Sequence, residues 1–505
     1  MQDPADLRQH ALILGLGDSG LAMAAWCARL GWEVTVRDNR ERPPRIAELQ
    51  TRVPQARFVS GPFDASALAG QSVHAVFKSP GLSPQQVQDL WQAAQAQGLW
   101  CGGELSLFAR ALQSLADERG YRPQVLAITG TNGKTTVTAL TAVLLQRAGL
   151  EVAIAGNIGP TLLDTLTQCL EQGLPQAWVL ELSSFQLSDS ADFQPSAASV
   201  LNLSQDHLDW HGDMAAYATA KGRIFGASTL RVLRRDDPTV SGWMPPVVEV
   251  SRRALASAPA IATAVTFGAD LPQRAGDFGL EEVNGMTWLV RAISADETLK
   301  RQKGEEEEIY MQRLMPADAL RIRGRHNALN ALAALALATT TGVALAPMLY
   351  GLREYTGEPH RVESVVVLSG VEYFDDSKGT NVGATVAAIE GLGVERRVWV
   401  ILGGDGKGQD FSPLAAPVAR YAAGVALIGR DAPQLAQALA DTGVSLAHCD
   451  DLPAAVAWCH DHAQSGDAVL LSPACASFDM FENYGHRARV YIDAVREWAA
   501  SEGVA

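Results

Sequence analysis

The string Gly130-Thr131-Asn132-Gly133-Lys134-Thr135-Thr136 lies between a β-branched, apolar run at residues 125–129 and a helical pattern at 137–148. Glycines in such a turn let backbone N–H groups face a phosphate at a helix N-terminus. Lys134 can neutralise its β- and γ-oxygens, and the Thr135 hydroxyl can ligate Mg2+. The spacing is Gly-x-x-Gly-Lys-Thr, two residues shorter than the usual Gly-x-x-x-x-Gly-Lys-Thr pattern. A cradle of this kind belongs at the carboxyl end of a strand in an open, largely parallel sheet.

The rest of the chain repeats that theme. Short apolar runs alternate with Ala/Leu-rich helical patterns in three series, the signature of α/β architecture. The first series has strands near 11–14, 34–36 and 75–77. The second has strands near 125–129, 152–155, 178–181 and 200–203, and the third near 365–368, 398–402, 425–428 and 468–471. The spacing predicts domains at 1–103, 104–357 and 358–505, with a hinge at 355–360. Between 229 and 319 the pattern loosens, and antiparallel strands and loops are expected. The acidic run 305–308 reads as a solvated loop. With 505 residues, 47% of them hydrophobic, the chain exceeds one core. A net charge of -15 argues against general nucleic-acid binding. Cys27, Cys101, Cys169, Cys449, Cys459 and Cys475 form no C-x-x-C pair, which suits a reducing compartment. The amino terminus lacks signal-peptide character, and the Ala-rich stretch 331–349 is broken at Thr339-Thr340-Thr341-Gly342. A cytoplasmic protein with no membrane partner is expected.

Further motifs sit at strand ends. Gly15-Leu16-Gly17-Asp18-Ser19-Gly20, followed by Asp38, matches a dinucleotide fingerprint, although a plain glycine turn or a different nucleotide diphosphate fits as well. Glu181 ends an apolar strand and could face the phosphate loop as a Mg2+ ligand or serve as an ordinary cap. Asp206-His207-Leu208-Asp209 puts an imidazole and two carboxylates in one loop. By sequence physics alone Lys221 is a surface lysine. His448, Cys449, Cys459, His460 and His462 lack the close pairing of a zinc site, and 452–462 reads as an amphipathic helix.

Taken in order, the phosphate loop, Asn157-Ile158-Gly159, Glu181 through Leu187, Asp206 through Asp209, His326 through Asn330 and Pro359-His360-Arg361 resemble the muramyl ligases. These are ATP-dependent amide-forming enzymes of peptidoglycan precursor synthesis, and the resemblance covers nearly the whole chain. Asp376 through Asn381, Gly403 through Lys407 and Ser472 through Ser477 narrow it to the glutamate-adding branch. It implies a Rossmann-like N-terminal domain for a UDP-sugar, a central ATPase domain with a mostly parallel sheet, and a Rossmann-like C-terminal domain that closes over the site.

The resemblance also implies roles. Asp18, Ser19, Asp38, Asn39, Arg40 and Gly81 would hold the UDP-sugar, with Asn157 and His207 at its inner end. Gly130, Thr131, Asn132, Gly133, Lys134, Thr135, Thr136, Asn327, Asn330, Arg361 and Asp376 would hold ATP. Lys378, Thr380, Lys407 and Ser477 would hold glutamate, with Tyr484 where relatives usually carry Phe. Lys134, Glu181, His207 and Lys221 would serve catalysis. Two Mg2+ ions would be held by Thr135, Glu181, His207 and a carbamylated Lys221. The implied reaction adds D-glutamate to UDP-N-acetylmuramoyl-L-alanine through an acyl phosphate, in a monomer. An L-glutamate-specific variant, a folylpolyglutamate synthase-like ligase, and a dehydrogenase or non-enzymatic nucleotide-binding module are the alternatives. Segment 229–319 is longer than its family counterpart, with extra residues around 245–264 and 295–319.

Overall fold

The computed structural model describes residues 9–70, 72–245, 264–295, 308–394, 396–501 and 503. Three sheets follow one another along the chain. The first has five parallel strands in the order Arg57–Ser60, Glu33–Asp38, His10–Leu14, Ala75–Lys78, Trp100–Gly102. The order reverses between His10–Leu14 and Ala75–Lys78, and at such a switch point the strand ends leave a crevice. Gly20 is dictated by this turn: a Cβ there would lie 2.0 Å from the Gly15 carbonyl oxygen.

The second sheet has nine strands, ordered Ile309–Pro316, Met286–Ser294, Phe278–Val283, Ala264–Phe267, Leu230–Arg234, Ala197–Val200, Gln124–Thr129, Ala177–Glu181, Val152–Gly156. The expectation of antiparallel strands across 229–319 needs correction. Leu230–Arg234, Ala264–Phe267 and Phe278–Val283 extend the parallel part, and only the last two pairings, those made by Met286–Ser294, are antiparallel. Direction there is set by pairing with Ala197–Val200, a long-range contact invisible to local periodicity. Most of the extra segment 245–264, and acidic residues 305–307, lie outside the described residues. Helices Lys134–Arg147, Arg325–Thr339 and Leu345–Glu354 cover one face of this sheet. Arg325–Thr339 is apolar nearly all round and accordingly buried.

The third sheet runs Glu363–Leu368, Val371–Asp375, Ala468–Leu471, Val398–Gly403, Ala422–Ile428, Ser445–His448, parallel except for its first pair. The helix Leu452–His462 forms as expected, with Cys459 in its buried face. No helix among the described residues is long and apolar enough to cross a membrane.

The domains are joined in two different ways. One continuous apolar cluster runs from Ile13, Trp26 and Phe77 through Phe108 to Trp178 and Val200, so the first two domains share a core. The third domain has its own apolar clusters and reaches the second through polar contacts. Asn381 and Asn132 exchange side-chain bonds at 3.2 and 3.1 Å, and Arg361 Nη2 donates to Thr135 Oγ1 at 2.8 Å. Polar junctions of this kind are where domains move.

Candidate active site

The strand Gln124–Thr129 delivers the loop 130–133 to the N-terminus of helix Lys134–Arg147. Gly133 has φ +83°, and a Cβ there would stand 2.6 Å from Asn330 Oδ1, so only glycine fits. Asn132 N–H donates to Asn202 Oδ1 at 2.9 Å and Thr131 N–H to the Asn202 carbonyl at 3.0 Å, which ties the cradle to the next strand end. Lys134 Nζ curls over the loop, 2.9 Å from the carbonyl oxygens of Gly130 and Thr131. Burial holds its pKa below the ordinary lysine value, against the opposing pull of Glu181.

Glu181 ends its strand beside this loop and is 1% exposed. One carboxylate oxygen accepts from Asn157 Nδ2 at 2.9 Å; the other, Oε2, is buried with no hydrogen-bond partner among the described residues. A buried carboxylate oxygen without a partner is costly unless a cation completes it. The donor set therefore fits Mg2+, a hard ion that takes carboxylate and hydroxyl oxygens.

Lys221 corrects the surface reading. It is 1% exposed, its Nζ donating to the Gly130 carbonyl at 2.8 Å and Thr129 Oγ1 at 3.3 Å, and standing 4.7 Å from the Tyr217 ring centroid. Its helix, Met214–Gly222, is short and Ala-rich, so no periodic stripe marks the buried side. Burial, reinforced by the Lys134 charge, lowers the Lys221 pKa well below the ordinary value. His207 has φ +54° and lies 3.6 Å from Asp206, its ring edge-on to Phe185 at 4.8 Å. Burial lowers its pKa, with Asp206 opposing.

The third domain brings Arg361, Asp376 and Lys378 to the same cleft. Asp376 is buried beside Arg361, accepts from Ser472 Oγ at 2.6 Å, and is pushed up to about 7 by burial. Asn327, Asn330, Arg361 and Asp376 line a small cavity of about 70 Å3 with Asn132, Gly133 and Thr136. Lys378 Nζ stands 5.6 Å from the centroid of the Tyr484 ring, which places that tyrosine against a glutamate-binding candidate. Lys407 shares a cavity of about 110 Å3 with Asp206, His207 and Asp209. Thr380 is partly buried and Ser477 buried.

Asp18, Ser19, Asn39, Arg40 and Gly81 line a separate cleft of about 450 Å3 at the switch point of the first sheet. Asp38 is buried, and its carboxylate is committed to Leu16 N–H at 2.7 Å and to a two-pronged Arg40 pair at 2.8 and 2.7 Å. It braces the glycine loop, while Asp18 accepts from Arg45 Nε at 2.6 Å.

Comparison with known proteins agrees with this three-part layout. The MurD-like N-terminal domain of Mur ligases matches residues 9–102, the Mur ligase middle domain 128–338, and the Mur ligase glutamate ligase domain 360–475. This chain is a Mur ligase. Among the relatives, a UDP-N-acetylmuramoylalanine--D-glutamate ligase of Albidiferax ferrireducens is 62% identical over 498 residues, covering 98% of both chains. A protein of the same name from Polaromonas sp. is 52% identical, covering 98% of this chain and 99% of that one. Among solved structures, MurF of Thermotoga maritima in complex with ADP has TM-score 0.55 at 15% identity, covering 98% of this chain and 96% of that one. MurC of the same organism has TM-score 0.53 at 19% identity, covering 97% and 100%. Both share the fold.

Several residues of this Mur ligase site escape sequence reasoning. Asn381 joins Asn132 and Asp206 across the domain boundary, and Arg487, fully buried, donates to the carbonyls of Ser377 and Cys475 at 2.8 and 3.1 Å. His211 bonds Ser184 Oγ at 2.9 Å, and burial pushes its pKa down to about 4. Each is an ordinary polar residue until a distant partner gives it a role.

Glu104 is another. It is buried at the junction of the first two domains and accepts from Leu163 N–H at 3.0 Å. Burial pushes its carboxyl up to about 7 despite bonds from Leu163 and Ser19. An unfolded glutamate loses its proton near pH 4.5, so between that pH and about 7 the folded chain binds more protons. Stability therefore falls across this window, by about 3 kcal/mol, and is level above it. Glu104→Gln should shrink the difference in thermal midpoint between pH 5 and pH 8; an unchanged difference would show that Glu104 does not set it.

Proposed function

We propose that this Mur ligase joins D-glutamate to UDP-N-acetylmuramoyl-L-alanine while converting ATP to ADP and phosphate, in peptidoglycan precursor synthesis. The observation that carries this reading is the convergence, in one cleft, of the phosphate loop, the half-partnered Glu181, the buried Lys221 and the cations Arg361 and Lys378. The relatives' names supply the substrates. A cleft at the switch point of the first sheet suits the UDP end of the substrate and speaks for a UDP-sugar over a folate.

The chemistry follows from charge. Direct amide formation would expel hydroxide, whereas phosphorylation of the substrate carboxylate supplies a better leaving group. The chain's task is positioning and charge neutralisation. Lys134 and Arg361 balance negative charge on the transferred phosphoryl group. Thr135, Glu181 and His207 are the residues that would hold Mg2+, which when bound neutralises phosphate and acyl oxygens. Lys221, its pKa lowered by burial, can attack CO2 once deprotonated: its lone pair forms the N–C bond, a proton leaves nitrogen, and an anionic carbamate replaces the amine. With that carbamate, two Mg2+ ions would have an anionic ligand each. Lys378, Thr380, Lys407 and Ser477 receive the glutamate carboxylates, with Tyr484 at their edge. Asn327, Asn330 and Asp376 receive the nucleotide. Domain boundaries at 103/104 and 357/358, a monomeric working unit and a cytoplasmic location complete the reading. The net charge of -15 speaks against general nucleic-acid binding.

Phosphate release from ATP, with Mg2+ and UDP-N-acetylmuramoyl-L-alanine, should require D-glutamate. Release with L-glutamate alone would keep the mechanism and change the product. Release with neither would refute the reading.

A further inference from the structure

Lys78 closes the strand Ala75–Lys78, one residue before the Ser79-Pro80-Gly81-Leu82 turn that walls the amino-terminal cleft. It is 2% exposed, and an ammonium taken out of water is costly unless it is paired. Its Nζ donates to the Leu82 carbonyl at 2.8 Å, lies 2.7 Å from Asp189 Oδ2, and stands 5.4 Å from the Trp210 ring centroid. These partners come from three places. Leu82 belongs to the cleft wall, Asp189 follows the second-domain helix Ser184–Ser188, and Trp210 lies in the helix Leu208–His211 that begins at His207. Trp210 packs on Phe185 at 4.7 Å, and Phe185 on His207 at 4.8 Å.

We propose that the Lys78–Asp189 pair is a positioning device that couples occupancy of the amino-terminal cleft to the placement of His207. The inference rests on the UDP-sugar reading of that cleft. Lys78 touches no reacting atom and acts through the Leu82 carbonyl on one side and the Trp210–Phe185–His207 stack on the other. An apolar pair could fill this junction with equal or greater stability. It could not grip a carbonyl on the cleft wall, a carboxylate and an indole face through a single cation.

The test is the double variant Lys78→Met with Asp189→Leu. Its thermal midpoint should match or exceed that of the parent. Its kcat/KM for UDP-N-acetylmuramoyl-L-alanine should fall about tenfold to a hundredfold, as for a misplaced reacting geometry, with KM for ATP unchanged. Lys78→Arg, which keeps the charge, should recover part of the loss. A double variant with parental kcat/KM, or one whose loss is shared equally by ATP, would overturn the proposal. Amide hydrogen exchange on the unmodified protein needs no variant. UDP, which lacks the muramoyl-alanine arm, should slow exchange in both 79–82 and 206–211. Slowing confined to 79–82 would overturn the coupling. UDP that slows neither segment would overturn the UDP-sugar reading itself, and the coupling with it.

Discussion

Lys134→Ala should lower kcat about a hundredfold to a thousandfold at saturating ATP, the usual loss when a preorganised donor to developing phosphoryl charge is removed. Its ammonium lies within 2.9 Å of two loop carbonyls, and the low polarity that depresses its pKa also strengthens its field at the cradle. KM for ATP should rise less than kcat falls, because the charge matters most where it develops. Fold should survive, since alanine suits the first position of the helix Lys134–Arg147, and circular dichroism can verify it. Near-parental turnover at saturating ATP would remove Lys134 from the chemistry.

Lys221→Ala should be comparably damaging, for a different reason. An amine whose pKa is held well below the ordinary lysine value by burial gives up its proton more readily and can then take up CO2, whereas a protonated surface lysine cannot. With 13C-bicarbonate, the parent should show a carbamate carbon resonance that Lys221→Ala lacks. Lys221→Arg should not rescue, because a guanidinium restores charge of the wrong sign and cannot lose its proton. A fully active Lys221→Ala enzyme, or a parent without the resonance, would sink the carbamate assignment and leave Lys221 as a brace for the Gly130 carbonyl.

Lys134 and Lys221 also mark two kinds of legibility. The phosphate loop is readable because its chemistry is local: two glycines, a lysine and a threonine within seven residues, between a strand and a helix. Three strands of the second series are readable for the same reason, as contiguous apolar runs, whereas the fourth lies at Ala197–Val200 and not at 200–203. Lys221 looks solvent-facing in a short alanine-rich helix and becomes buried only because that helix packs under the loop 130–133. Its family role comes from resemblance, and its burial and lowered pKa from the fold. The direction of Leu230–Arg234 and Ala264–Phe267 likewise depends on a neighbour strand some thirty residues or more away.

Local pattern was enough for the α/β class, the three series of strands and the nucleotide cradle, since hydrophobic period and glycine spacing act between near neighbours. Pairing across the domains was not readable in this way. The Asn132–Asn381 exchange, the Arg361 bond to Thr135 and the unpartnered oxygen of Glu181 exist because segments up to 249 residues apart are packed together. Burial and electrostatic field at these groups are properties of the assembled interior, where each charge is set by what surrounds it in space.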